Sequence, residues 1–176
     1  MMQKEVPLVH TPVDQVPETG GKNAGYAVCL PADIDTDVVI AGRYLRTKDR
    51  SIWGTHVFED LDPGIARRLR GSVIVAGKNF GCGSSREQAA IAIKEAGVVA
   101  VVAPSFARIF FRNAINIGLP LIECDLSCVE GSTVIFNLAE GWLESAGKRH
   151  KIRPLSPRMQ EILASGGLVE YWRDHK

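Results

Sequence analysis

One short segment, residues 77–88 (GKNFGCGSSREQ), combines glycines with side chains that can bind an anion. Glycine allows backbone conformations with positive φ and lets a ligand approach main-chain N–H groups closely. Unpaired N–H groups at the start of a helix attract anions, and an arginine guanidinium binds a carboxylate or phosphate through two parallel hydrogen bonds. Ser84, Ser85 and Arg86 therefore predict a site for a small anion at a strand-to-helix turn.

Part of this segment also has a structural interpretation. Ser84 and Glu87 have the spacing of a capping box, in which Ser84 would be the N-cap of a helix and Glu87 would bond back to it. A capping box does not account for the glycines, for Ser85 or for Arg86. Arg86 would then lie in the first helical turn, where a positive charge is unfavourable unless it binds an external anion. We therefore expect an anion site with a structural cap inside it.

The segment does not match the common nucleotide-binding loops. A Walker loop that began at Gly77 would need Gly-Lys where Cys82 and Gly83 stand. A dinucleotide-binding pattern that began at Gly81 would need glycine in place of Arg86. A small polyanionic metabolite is a better candidate ligand than a nucleotide.

Strands and helices alternate around the segment, because short apolar runs bounded by glycine or proline are followed by helix-start signals. The predicted strands cover residues 26–30, 72–76, 98–103 and 119–122, and the predicted helices cover residues 61–70, 84–96 and 106–116. Later in the chain we expect short antiparallel strands at 132–137, 142–144 and 150–153, then a helix at 156–164. The alternation predicts an α/β fold with parallel pairing.

Length and composition indicate one globular domain. The chain has 176 residues, 45% of them hydrophobic, with 21 basic and 20 acidic side chains. This balance lacks the basic excess of a non-specific nucleic-acid binder, and no apolar run approaches the roughly 20 residues that span a bilayer. Residues 1–24 contain three prolines and no apolar periodicity, so we expect a flexible arm there and a single domain over 25–176. No secretory signal is found, and a cytoplasmic location is expected.

The cysteines give no sign of a metal site. Cys124 and Cys128 do not have a common zinc-site spacing, and Cys29 and Cys82 are far from them in the sequence. In a cytoplasmic chain all of them are expected to be reduced thiols.

The glycine-rich turn followed by Ser-Ser-Arg-Glu resembles the swivelling domain of the aconitase superfamily. The resemblance extends in order over residues 26–125 and includes four further motifs, at 35–37 (DTD), 44–47 (YLRT), 105–113 (SFARIFFRN) and 116–120 (NIGLP). It implies a β/β/α domain with a mixed sheet and flanking helices. A separate chain of this length is similar to the small subunits of 3-isopropylmalate dehydratase, homoaconitase and 2,3-dimethylmalate dehydratase.

The resemblance implies a role for each matching position. In the superfamily a serine takes a carbon-bound proton while the iron of a [4Fe–4S] cluster acts as a Lewis acid on the leaving hydroxyl. Ser84 matches that serine, and Asp37 matches an acidic residue that orients the active-site network. The positions expected to bind substrate are Ser85, Arg86, Arg46, Thr47 and Thr36.

The arginine at position 46 leaves two substrates possible, 3-isopropylmalate and homoaconitate. In this family the loop after Tyr44-Leu45 recognises the variable substituent of the substrate, and a buried guanidinium facing an isopropyl group would be costly. Arginine therefore favours homoaconitate, which carries a distal carboxylate. The 3-isopropylmalate enzymes are the commonest small subunits, so 3-isopropylmalate ranks first and homoaconitate second.

The expected function is that of one subunit of a hydro-lyase that interconverts 2- and 3-isopropylmalate in leucine biosynthesis. The resemblance implies a [4Fe–4S] cluster on a large subunit, in a heterodimer or heterotetramer. The chain agrees with this, because it has no cysteine set with the spacing of a cluster site. An anion-binding or regulatory module without catalysis is the alternative from another class. The combination of Ser84, Ser85 and Arg86 favours the enzyme subunit.

Overall fold

The computed structural model describes residues 23–175, which form a seven-stranded sheet with helices packed against it. The strands, numbered in chain order, are β1 (Asn23–Leu30), β2 (Ser72–Ala76), β3 (Ala100–Ala103), β4 (Leu121–Glu123), β5 (Thr133–Asn137), β6 (Trp142–Ser145) and β7 (Lys148–Lys151). The α-helices are α1 (Thr36–Val39), α2 (Arg50–Thr55), α3 (Glu87–Glu95), α4 (Arg108–Asn116), α5 (Pro157–Ala164) and α6 (Leu168–Asp174). Short 3-10 helices cover Gly42–Arg46 and Ile65–Arg68.

The sheet has a parallel half and an antiparallel half, and its strand order is β4-β3-β2-β1-β5-β6-β7. Strands β1 to β4 pair in parallel, whereas β5, β6 and β7 pair antiparallel and continue the sheet from the other side of β1. The expected α/β fold with a mixed sheet and flanking helices is therefore confirmed. The loops after β1 and β2 leave adjacent carboxyl ends, so they meet at one edge of the sheet.

Both faces of the parallel half are buried, which explains the continuous apolar runs in its strands. All five residues of β2 are buried. Ile74 packs in a core with residues of the helices, while its neighbours Val73 and Val75 pack in a second core with side chains of β5 and β6. Successive side chains of a strand point to opposite faces, so one apolar strand contributes to both cores.

The helix predicted over residues 61–70 is wrong. The structure has turns there, followed by the 3-10 helix Ile65–Arg68. The Asp62 carboxylate accepts a hydrogen bond from the Gly64 amide at 2.8 Å and pairs with Arg68 at 2.9 Å, so it stabilises a turn. Helix α2 was not predicted, although Asp49 caps it by accepting from the Ser51 amide at 3.0 Å.

The remaining elements are present, with shifted ends. Strand β1 begins at Asn23 and Ala24 is buried, so the folded domain starts before the predicted boundary at residue 25. The rest of the predicted arm, residues 1–22, lies outside the described residues. Strand β7 begins earlier than predicted because a tight turn at Ala146-Gly147, with φ of 49° and 73°, follows β6 directly.

The expectation that every cysteine is a reduced thiol is wrong for Cys29 and Cys128, which form a disulfide with their Cα atoms 5.8 Å apart. The bond joins the carboxyl end of β1 to the connection between β4 and β5. Glu130 reinforces this junction, since it accepts from the Cys29 amide at 2.7 Å and pairs with Arg68 at 2.5 Å.

Candidate active site

The loop after β1 and the loop after β2 are joined by backbone hydrogen bonds. The Gly81 and Cys82 amides donate to the Ile34 carbonyl at 2.8 and 3.2 Å, and the Thr36 amide donates to the Cys82 carbonyl at 2.9 Å. Asp35 and Cys82 form an isolated parallel bridge between them. The two segments that carry the predicted catalytic residues are therefore fixed side by side.

Two positions of the loop after β2 require glycine, because the backbone there has positive φ and neighbouring atoms leave no room for a Cβ atom. Gly81 has a φ of +78° and Gly83 a φ of +88°, values that residues with a side chain rarely adopt. A Cβ atom at Gly81 would overlap the ring of Phe110, and one at Gly83 would overlap the carboxylate of Asp35. Glycine at both positions lets this loop approach the first loop and α4 closely.

Ser84 lies directly beside Thr36. The Thr36 hydroxyl donates to the Ser84 carbonyl at 3.0 Å, and its oxygen lies 3.4 Å from Ser84 Oγ. Thr36 is buried, with 1% of its surface exposed, whereas Ser84 is exposed. The buried position leaves Ser84, and not Thr36, accessible to a substrate.

The capping-box interpretation of Ser84 and Glu87 is wrong. Helix α3 begins at Glu87 with Arg86 at the N-cap, and no side chain caps it. The Ser84 carbonyl instead accepts from the Arg86 amide at 2.8 Å, which turns the chain between the two residues. The Ser84 side chain therefore remains outside the helix, next to Thr36.

Arg86 forms an ion pair with Asp37, which lies in the first turn of α1. The Asp37 side chain is 59% exposed and the Arg86 side chain 27% exposed, so the pair is at the surface of the two joined loops. The structure thus brings together Thr36, Asp37, Ser84 and Arg86, and Ser85 lies between the last two in the chain. These residues present a hydroxyl, a guanidinium and a carboxylate on an open edge.

Arg46 and Thr47 lie on a separate segment, at the end of the 3-10 helix Gly42–Arg46. Arg46 is exposed, and none of the ion pairs found within residues 23–175 involves it. Thr47 accepts a hydrogen bond from the Asp49 amide at 3.1 Å, at the start of α2. Neither residue forms a hydrogen bond or ion pair with Ser84 or Arg86 in the described part of the chain.

Tyr44 anchors this segment through contacts that the sequence did not indicate. Its hydroxyl donates to Glu59, its ring stacks on His56 with centroids 4.1 Å apart, and its carbonyl accepts from Trp53 Nε1 at 3.0 Å. The hydrogen bonds from Tyr44 and then from Arg43 lower the pKa of Glu59 to about 2. These partners lie 9 to 15 residues after Tyr44 in the chain, in stretches without a motif.

Arg43 completes the anchor. It donates to Glu59 at 2.9 Å and to Asp60 at 2.6 Å, and these bonds, with that of Asp60 first, raise its pKa above the ordinary value. The segment that carries Arg46 is therefore held at its base while Arg46 itself extends into solvent.

The free thiol of Cys82 is not activated. Burial, followed by the charges of Asp35 and Asp33, raises its pKa above the ordinary value of 9.0. A thiolate is the nucleophilic form of cysteine, so this shift in pKa disfavours the reactive form of Cys82.

Metal ligands do not cluster within residues 23–175, where no group of three or more histidine, cysteine, aspartate or glutamate side chains could hold an ion. A groove of about 520 Å³ lies elsewhere, between β4 and the segment before α5. Its lining includes Phe111, Leu121 and Leu155 but none of the predicted site residues. The helices of the described residues include none that is long and apolar enough to cross a membrane.

Comparisons with known proteins find similar sequences and a similar solved structure. The 3-isopropylmalate dehydratase small subunit of Aliarcobacter butzleri is 52% identical over 145 residues, which cover 80% of this chain and 87% of the relative. The methanogen homoaconitase small subunit of Methanothermobacter thermautotrophicus is 49% identical over 143 residues, covering 80% and 84%. The crystal structure of a 3-isopropylmalate dehydratase from Methanocaldococcus jannaschii superposes with a TM-score of 0.82 at 43% identity, covering 88% of this chain and 95% of that one.

The family model of the aconitase C-terminal domain matches residues 33–125, a range that contains both joined loops and the segment of Arg46. The match includes more than half of the chain, and relatives that are about half identical align over most of their own length. On these grounds the chain belongs to the aconitase C-terminal domain family.

Proposed function

We propose that this chain is the small subunit of a hydro-lyase that interconverts 2- and 3-isopropylmalate by dehydration and rehydration, a reaction of leucine biosynthesis in the cytoplasm. The observation that carries the proposal is the joining of Ser84 and Arg86 to Thr36 and Asp37 at one exposed edge of the sheet. A proton acceptor and a carboxylate-binding guanidinium are the two groups that such a reaction needs from this side of the substrate.

Ser84 is assigned the proton transfer. As an alkoxide it accepts a proton from the substrate carbon, and the hydroxyl leaves from the neighbouring carbon, so that the elements of water are lost. Return of the proton from Ser84 and addition of hydroxide with the opposite regiochemistry give the isomer. Because serine is a weak base in water, the site must stabilise its charged form.

Arg86 is assigned to a substrate carboxylate, with Ser85 beside it. Its guanidinium has five N–H donors, and the ion pair with Asp37 orients it without using all of them. Asp37 acts through Arg86 in this proposal, since it fixes the direction in which the remaining donors point.

The [4Fe–4S] cluster is assigned to a large subunit. Cys29 and Cys128 are bonded to each other, which leaves Cys82 and Cys124 as free thiols, and a cluster site uses about four ligands. Removal of the hydroxyl is the chemistry that the cluster supplies when bound there. The exposed position of Ser84 fits a site that a second chain completes, in a heterodimer or heterotetramer.

Homoaconitate is the second candidate substrate, and the exposed side chain of Arg46 favours it. A guanidinium that has no carboxylate partner within residues 23–175 can bind the distal carboxylate of a tricarboxylic acid. A relative named as a homoaconitase subunit is also nearly as similar as those named for 3-isopropylmalate.

Anaerobic reconstitution with a cognate large subunit tests the proposal. Hydration of isopropylmaleate and of cis-homoaconitate would be followed for the normal chain, for Ser84→Ala and for the control Ser165→Ala, which lies at the end of α5. We expect turnover to fall at least about 1000-fold in Ser84→Ala and to be unchanged in the control. Normal turnover in Ser84→Ala would refute the assignment of Ser84 as the base. If the normal chain turned over neither substrate, the assignment as an enzyme subunit would be refuted.

A further inference from the structure

The contact between Thr36 and Ser84 places one hydroxyl within reach of two acceptors. Thr36 Oγ1 lies 3.0 Å from the Ser84 carbonyl oxygen and 3.4 Å from Ser84 Oγ. A hydroxyl has one hydrogen and two lone pairs, so it can donate to only one of these atoms at a time. The direction of its hydrogen therefore depends on the charge of the Ser84 side chain.

Thr36 is held rigidly at this place. Its amide donates to the Cys82 carbonyl at 2.9 Å, its carbonyl accepts from the Ile40 amide at 3.1 Å, and only 1% of its surface is exposed. Water and substrate therefore have little access to the hydroxyl. This burial favours a contact with Ser84 over the substrate contact that the resemblance implies for Thr36.

We propose that Thr36 is a positioning residue that transfers its hydrogen bond to Ser84 Oγ when Ser84 loses its proton. In the neutral state the Ser84 hydroxyl donates to Thr36 Oγ1, while the Thr36 hydrogen points to the Ser84 carbonyl. In the charged state rotation of the Thr36 hydroxyl points its hydrogen at the alkoxide. Hydrogen bonds to a charged acceptor are about twice as strong as neutral ones, so the exchange favours the alkoxide.

This inference rests on the proposed function, because it requires Ser84 to act as the base. Other ionisable groups surround the contact: Asp33 and Asp35 on the first loop, Asp37 in α1, Cys82 on the second loop and Arg86 at the N-cap of α3. They face the same loop junction, but Thr36 is the residue with a hydroxyl directed at Ser84. A buried threonine can also be replaced by valine with nearly the same shape, which allows a clean test.

The experiment compares Thr36→Val, Thr36→Ser and Thr36→Ala in the reconstituted two-subunit enzyme. Thr55→Val serves as the control, because the Thr55 hydroxyl also donates to a carbonyl, that of Ile52 at 2.9 Å, but makes no hydrogen bond to Ser84. We expect kcat to fall roughly 10- to 100-fold in Thr36→Val, with KM changed by less than about twofold. The rising limb of the pH profile should move to higher pH, and Thr36→Ser should restore both the rate and the profile.

A second measurement separates positioning from folding. Amide hydrogen exchange of residues 81–84 in the isolated chain should be similar in Thr36→Val and in the normal protein, because the backbone bonds between the loops remain. If kcat falls together with faster exchange, and Thr36→Ser does not restore the rate, Thr36 acts only by holding the loop and the inference is wrong. Thr36→Ala provides the same comparison if the valine variant does not fold.

The proposed function and this inference fail in different ways. Normal turnover in Ser84→Ala removes the base and with it the role of Thr36. A large loss in Ser84→Ala combined with a normal rate and pH profile in Thr36→Val overturns the inference alone. In the double variant Ser84→Ala/Thr36→Val we expect no further loss beyond that of Ser84→Ala, and additive losses would contradict the exchange of hydrogen bonds.

Discussion

Asp37 and Arg86 pair across two loops whose positions in the sequence are nearly fifty residues apart, and the pair lies at the open edge where β1 and β2 end. Each residue begins a helix: Asp37 lies in the first turn of α1, and Arg86 is the N-cap of α3. A positive side chain at a helix start is locally unfavourable, and the carboxylate of Asp37 offsets this cost. The pair therefore keeps a guanidinium next to Ser84 in a place where its charge would otherwise destabilise the helix.

Replacing Arg86 by lysine should weaken substrate binding while keeping the charge. Lysine retains the attraction to Asp37 but lacks the planar pair of donors that matches a carboxylate. We expect KM to rise roughly tenfold or more, with a smaller change in kcat, in steady-state assays of the reconstituted enzyme. The control is Arg173→Lys, which changes an exposed arginine that pairs with Glu170 at 2.5 Å. An unchanged KM in Arg86→Lys would contradict the assignment of Arg86 to a substrate carboxylate.

Replacing Arg46 by valine should change the choice of substrate. The exposed guanidinium suits a distal carboxylate, and an apolar side chain at this position suits an isopropyl group. We expect the ratio of kcat/KM for isopropylmaleate to that for cis-homoaconitate to rise roughly tenfold or more. Arg67→Val, at an exposed position of the 3-10 helix Ile65–Arg68, should leave the ratio unchanged. A constant ratio in Arg46→Val would exclude this side chain as the determinant of specificity.

Glu59 should make the stability of the anchor depend on pH. Its pKa falls from 4.5 to about 2 on folding, mainly because Tyr44 and then Arg43 donate to it. The folded state therefore gains stability from Glu59 above pH 4.5 and loses this gain as the pH falls towards 2.

Chemical denaturation of the normal chain and of Glu59→Gln measures this contribution. The difference in the free energy of unfolding should be largest above pH 4.5 and should be lost as the pH falls below about 2. Steady-state kinetics of the reconstituted enzyme give a second measurement, because Glu59→Gln should also raise KM by loosening the segment of Arg46. The control is Glu170→Gln, which removes an exposed carboxylate paired with Arg173 and should not affect KM. A stability difference that is independent of pH would rule out the linkage.

The disulfide between Cys29 and Cys128 should stabilise the chain, because it closes a long loop with a sequence separation of 99. Loss of the bond in Cys29→Ala/Cys128→Ala should lower the free energy of unfolding by about 2–4 kcal/mol. Reductant should destabilise the normal chain by a similar amount and leave the double variant unaffected.

Thiol labelling in denaturant checks that the bond is present. Two of the four cysteines, Cys82 and Cys124, should react before reduction and all four after it. The variant Cys82→Ala should keep the response to reductant. Four reactive thiols in the untreated protein would show that the bond does not form.

The strands were predictable because they depend on local signals. The run at 72–76 and the glycines that bound it determine β2 without reference to the rest of the chain. The capping box failed for the opposite reason. Ser84 has the spacing of a cap, but Thr36, 48 residues earlier, holds its carbonyl, and Arg86 takes the N-cap position. Only the folded chain brings these residues into contact.

Neither the contacts that hold Tyr44 nor the disulfide could be predicted, because both depend on residues that come together only in the folded chain. Glu59 and Trp53 lie in stretches without periodicity, and they matter only because they and His56 contact one residue, Tyr44, through its hydroxyl, its backbone carbonyl and its ring. Nothing in the spacing of Cys29 and Cys128 pairs them, because the pairing depends on where the connection between β4 and β5 passes β1.

The chain between β1 and β2 carries both the loop around Thr36 and the segment of Arg46, and each of the two is held by its own contacts. The loop around Thr36 is fixed by backbone hydrogen bonds to the loop of Ser84, and the segment of Arg46 is fixed by the side chains around Tyr44. Mutations at the tip of the second segment can therefore accumulate without disturbing the first. A duplicated gene with this architecture can acquire a new substrate through a few substitutions while inheriting the old chemistry intact.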